Sequence, residues 1–113
     1  MSQLPSGILA FDGQRLWSAL RDASLLMWMD VATGEVGDPI IVGNAPSALA
    51  FDGTRLWVAS SDDNTLQPVE VSTGQVGEPV PVGMNPSALL FDGTRLWVAN
   101  AGDGTVQYFV VER

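Results

Sequence analysis

The sequence predicts an all-β repeat protein, an arc of about three four-stranded β-propeller blades. Three observations carry this. The nonapeptide Phe51–Ala59 recurs unchanged as Phe91–Ala99, with a looser copy at Phe11–Ala19, so the chain repeats every 40 residues. Each period holds four short β-prone runs separated by turn residues, and none shows sustained helical periodicity. The fourth run is proline-containing, which suits the outer edge of a small sheet. Four strands in about 40 residues match one propeller blade, whereas leucine-rich repeats are shorter and helical repeats lack four turns per period.

The second repeat gives the elements most clearly. Pro46–Phe51 is the first strand. Asp52-Gly53-Thr54 is a hairpin turn, since Asp-Gly between two apolar runs favours a tight reversal. Arg55–Ala59 is the second strand, Ser60–Asn64 a polar loop, and Thr65–Val71 the third strand, where Pro68 implies a bulge or an unpaired N–H side. After the turn Ser72–Gln75, Val76–Val82 is the outermost strand, confined to an edge by its two prolines. Gly83–Asn85 leads into the next copy. The blades span Pro5–Ala45, Pro46–Asn85 and Pro86–Arg113. The third ends after its third strand, giving eleven strands. Met1–Leu4 are too few to supply the twelfth.

Pro-Ser-Ala-Leu-x-Phe-Asp-Gly-Thr-Arg-Leu-Trp-Val-Ala-Asn, followed by Thr-Val and by Val-x-Thr-Gly in the complete repeats, resembles the YVTN-type and NHL-like propellers, a set that includes the streptogramin lyase group. The resemblance covers essentially the whole chain. It implies that Pro86–Phe91 is an innermost strand, Leu96–Asn100 the second and Val76–Val82 an outermost one. It implies a fold rather than an activity, because the shared residues build blades. The lyase depends on a catalytic His, and this chain has none.

Composition narrows the function. The chain has no Cys, no His and no Lys; Arg15, Arg21, Arg55, Arg95 and Arg113 face thirteen carboxylates, for a net charge of −8. Cys-ligated metal is excluded, as is His-dependent catalysis. The charge opposes nucleic acid and anionic membranes. No apolar run reaches the roughly 20 residues of a membrane span, and the N-terminus does not read as a signal peptide, so the default expectation is cytoplasmic. No carboxylate pair stands out as catalytic, and neither cofactor nor metal is expected.

The Asp12/Arg15, Asp52/Arg55 and Asp92/Arg95 turns read as hairpin chemistry, with each Arg pairing with its Asp or with a neighbouring blade. Trp17, Trp57 and Trp97 read as buried packing between blades rather than sugar platforms. Trp28, within Leu25–Met29, is either varied blade core or an apolar contact near the rim. Asp62-Asp63-Asn64 and Asn100–Gly104 carry clustered oxygens, but at no calcium-loop spacing. A ligand, if there is one, is expected on the loop face, at Arg21, Asp22, Asn44, Asp62, Asp63, Asn64, Asn85 and Asp103, because rigid folds place function on loops.

A three-blade arc leaves a bare blade face at each end. At about 800 Å² per face and roughly 25 cal/mol per Å², each forfeits on the order of 10 kcal/mol of gross burial. The expected function is therefore a non-enzymatic binding or scaffold module that closes a ring with copies of itself, a homodimer of six blades, with a nine-bladed trimer as runner-up. The alternatives are a recently amplified or engineered repeat protein with no ligand, and a carbohydrate-binding lectin.

Overall fold

The computed structural model describes Leu4, Pro5 and residues 7–111. Eleven strands form three antiparallel sheets, each a simple meander. The first contains β1 (Ile8–Phe11), β2 (Arg15–Leu20), β3 (Leu25–Asp30) and β4 (Ile40–Ile41). The second contains β5 (Pro46–Phe51), β6 (Arg55–Ser60), β7 (Thr65–Glu70) and β8 (Val80–Pro81). The third contains β9 (Pro86–Phe91), β10 (Arg95–Asn100) and β11 (Thr105–Val110). Among the described residues the expected count and order hold, with no fourth strand beside β11. The expectation for Met1–Leu4 falls mostly outside the described residues.

The outermost strand is shorter than the sequence predicts. Only Val80–Pro81 pairs continuously with β7, through Leu66↔Val80, and Val76 makes a separate bridge to Val69. Pro79 and Pro81 remove donors on either side of Val80, so the segment touches β7 at intervals instead of forming a ladder. Pro68 causes no bulge, since β6 and β7 pair without a break from Arg55↔Glu70 to Ser60↔Thr65. Its carbonyl accepts from the Gly77 amide at 2.7 Å, so its donorless nitrogen also faces the outer edge. The register shifts occur instead where β5 and β9 begin, at Pro46/Ala48 and at Ala99/Asn100.

Period-two alternation gives each sheet two faces, and the core lies between sheets. Trp17, Ala19, Leu26 and Ile40 of the first sheet meet Leu49, Leu56, Val58 and Val69 of the second. Ala48, Ala50, Ala59 and Leu66 on the other side of the second sheet meet Leu96 and Val98 of the third, with Leu89, Phe91 and Phe109 packed around them. The stacking gives each sheet an entry face, turned toward the preceding blade, and an exit face, turned toward the next.

The tryptophans differ from the expectation of uniform burial. Trp17 is fully buried, whereas Trp57 and Trp97 are only half-buried. Trp17 is covered by the complete second blade. The blade that covers Trp57 lacks its outer strand, and no described residue packs on the exit face of the third blade beside Trp97. Trp28 belongs to the blade core: its ring lies 6.5 Å from that of Trp17, and Arg15 sits over it at 4.2 Å.

Trp17→Ala should lower stability by about 3–5 kcal/mol in denaturant unfolding, the usual cost of deleting a buried aromatic.

Candidate functional site

Two sets of polar residues recur on opposite ends of the sheets. The first is the hairpin Asp. In all three copies its Oδ1 accepts two backbone amides of its own turn and its Oδ2 accepts the indole N–H of the Trp five residues on. For Asp52 these bonds run from Thr54 N at 2.8 Å, Arg55 N at 2.7 Å and Trp57 Nε1 at 2.8 Å. The Trp17–Asp12 and Trp97–Asp92 bonds are 2.9 and 2.8 Å. Gly53, with φ 98°, supplies the left-handed residue this turn needs.

These carboxylates are therefore occupied. Asp92 is held at about 2, against an ordinary 3.8, by the Arg95 amide, the Trp97 indole and the Thr94 amide. Burial pushes Asp12 upward, but the Arg15 amide, the Trp17 indole, the Gln14 amide and the Arg15 charge together bring it below the ordinary value. The Arg side chains do not pair with the hairpin Asp residues. Arg55 Nε pairs with Glu70 at 2.8 Å, Arg15 donates to the Val71 carbonyl of the next blade, and Arg95 lies over Tyr108 at 5.2 Å. The turn fills both Asp oxygens with N–H donors, which leaves the Arg free to extend along the rim.

The second set is the loop face. A cavity of about 380 Å³ gathers Arg21, Asp22, Asn44, Asp62 and Asp63 beside Ser24, five of the eight positions singled out in the sequence. Asn64, Asn85 and Asp103 lie outside it. Several of the eight hold loops together. Asp63 accepts from Asn44 N at 2.9 Å and from Asn44 Nδ2 at 3.0 Å. Asp103 accepts from Met84 N at 2.8 Å, and Asn64 Oδ1 from Asn85 N at 2.8 Å. Sequence reasoning misses Gln67 and Gln107, which accept the Gly43 and Gly83 amides at 2.8 Å. Their signal is their repetition at an otherwise apolar position of the third strand.

Most of these bonds run one way: loop and third-strand groups of a blade grip the connector that enters it, while Asn64 holds Asn85 in the connector that leaves its own blade. The first blade is built differently, with Ala23 where the second has Asp63 and Met27 where it has Gln67. The side chains of Arg21, Asp22 and Asp62 make no hydrogen bond among the described residues. No group of three or more His, Cys, Asp or Glu among the described residues is placed to hold a metal ion.

No known family model matches the chain, and no curated protein matches it. Solved structures do. The computationally designed Ika4 protein superposes with a TM-score of 0.77 at 22% identity, over 92% of this chain and 64% of that one. Kuenenia stuttgartiensis hydrazine synthase superposes at 0.84 and 22% identity, over 98% of this chain and 34% of that one. U3-55K gives 0.69 at 18% identity, over 97% and 42%. The chain is an arc of three propeller blades. It spans less than two thirds of the length of each of these proteins, and at such identities the likeness is one of fold.

Native Asp12 and Asp92 bind fewer protons than in the unfolded chain as pH falls from about 4 toward 2, so the stability they contribute should be lost across that window and be flat above about pH 5. Asp92→Asn should make the acid limb shallower in pH-dependent thermal unfolding.

Proposed function

We propose that the chain is a non-enzymatic propeller scaffold that closes a ring by pairing the exit face of its third blade with the entry face of the first blade of another copy. The supporting observation is the character of the two end faces. On the entry face of the first blade, Leu9 is 58% exposed, whereas its counterpart Leu49 in the second blade is buried. On the exit face of the third, Val106 is 67% exposed, whereas its counterpart Leu66 is buried.

The exit face of the third blade is also more apolar than that of the second: Leu90, Tyr108 and Val110 stand at the positions of Ala50, Pro68 and Glu70. On the entry face of the first blade Met27 stands at the position of Gln67, while Ser18 stands at that of Val58. Terminal repeats of soluble arrays need polar outer faces. Apolar substitutions at both ends fit faces that are covered by protein. The first blade also lacks the Gln and Asp that grip a covalent connector, which suits a junction with another chain.

Such a contact is head-to-tail, and two of them around a twofold axis give a closed homodimer of six blades. Six falls within the usual range of about four to eight blades, whereas the nine of a trimer falls outside it. The absence of His and Cys and the full engagement of the hairpin carboxylates favour assembly over catalysis. A ligand of the loop face would meet Arg21, Asp22 and Asp62 first.

Native mass spectrometry at micromolar concentration should show a dimer, and Leu90→Asp should convert it to monomer while the far-ultraviolet circular dichroism stays that of a β protein. A folded wild-type monomer would overturn the reading.

A further inference from the structure

β11 is the last described strand of the third blade, and a cavity of about 380 Å³ opens beside it, lined by Arg55, Trp57, Leu66, Val80, Leu96 and Phe109 among others. The lining is mostly apolar, and it belongs to the junction of the second and third blades rather than to either end face. The equivalent space between the first and second blades is partly filled by the chain itself, leaving a smaller cavity of about 260 Å³ beside Arg15, Ile40 and Gly74. There Val76 bridges Val69 and packs against the core that contains Trp17, Leu26 and Leu56. Phe109 is the counterpart of Val69, and no described residue takes the place of Val76 beside it.

The backbone repeats the same pattern. In the second blade the outer edge of β7 is met at three points: Glu70 N donates to Gln75 O at 2.9 Å, Pro68 O accepts from Gly77 N at 2.7 Å, and Leu66 pairs with Val80. The corresponding groups of β11 belong to Val110, Tyr108 and Val106, and no described residue bonds them on that side. All three residues are exposed. Unpaired strand groups flanking an apolar cavity are the two requirements for strand addition, with main-chain bonds giving affinity and a side-chain socket giving selectivity.

We propose that the β11 edge and this cavity form an acceptor site for an extended peptide that lies antiparallel to β11 and places one β-branched apolar side chain in the cavity. The blade itself specifies the ligand chemistry: a Thr-Gly turn, then the branched residue, then a second branched residue four positions later opposite Val106, as in Ser72–Val82. Proline is accepted in the ligand because the contacts are intermittent. The site persists whether or not the ring closes, because pairing of the end faces supplies no strand to this edge. It is therefore a place where a partner with such a segment would attach at the outer rim.

The test uses a synthetic peptide with the sequence Ser72–Val82 and the intact protein. Calorimetry should give one peptide per chain, and the amides of Val106, Tyr108 and Val110 should exchange at least about tenfold more slowly in its presence. The same peptide with Val76→Asp should bind at least about tenfold more weakly, since it would bury an unpaired charge. Val110→Pro in the protein, which removes an outward-facing donor, should weaken binding of the original peptide at least about tenfold. Equal binding of the two peptides overturns the proposal. So does protection gained at β7 in place of β11, which would mean that the peptide displaces the chain's own strand. A β11 edge already protected without peptide overturns it as well, and the mass spectrum then shows whether a second copy covers it.

Discussion

A carboxylate that accepts three N–H donors at once holds each blade in shape. Asp52 is fully buried. A buried carboxylate is costly unless its oxygens are filled. Here two amides of its own turn and the Trp57 indole fill them. The indole in turn needs an acceptor, because Trp is large and its N–H would otherwise be stranded between sheets. One interaction thus fixes the hairpin, the rotamer of the largest interblade side chain and the spacing of the next blade. The Asp-Gly-x-Arg-Leu-Trp order is the shortest sequence that brings these parts together, which explains its presence in every copy.

Packing between blades depends on that anchor. With the Trp pinned to the exit face, the residues alternating with it, Leu56 and Val58, must face the preceding blade, and they are fully buried there. The sheets thereby acquire a polarity from entry to exit, and a linear chain of polar units has two unlike ends. Complementary unlike ends meet head to tail, so the alternation of a single strand already supplies the geometry that the proposed ring would use.

The architecture was legible because it rests on local rules repeated three times: turn chemistry at Asp52-Gly53, period-two alternation, and edge-type prolines after Val76. Features that depend on two segments far apart in sequence were not. Nothing local to Arg15 announces that it reaches Val71, and nothing local to Asp63 announces that it holds Asn44; both contacts exist only once blades stack. The uneven burial of Trp17, Trp57 and Trp97 escaped for the same reason, since identical motifs acquire different surroundings according to the blade stacked on them. The cavity beside Phe109 was invisible because its lining joins residues of two blades, Arg55 to Val80 of the second and Leu96 to Val111 of the third. Five of the eight loop positions do converge, but the loops that gather them are themselves bound to connectors.

The grip of each later blade on the connector that enters it has a consequence for how such a chain can lengthen. Each later blade carries the groups that fasten it to its predecessor: Gln67 and Asp63 in the second, Gln107 and Asp103 in the third. A duplicated repeat inserted after an existing one would bring its own clasp and would need only a short connector from the blade before it. Growth toward the C-terminus is thus close to self-sufficient, while an N-terminal addition would meet Met27 and Ala23, which offer no clasp. The asymmetry gives gene duplication a preferred direction in this chain, set by where two side chains lie on a third strand and its preceding loop.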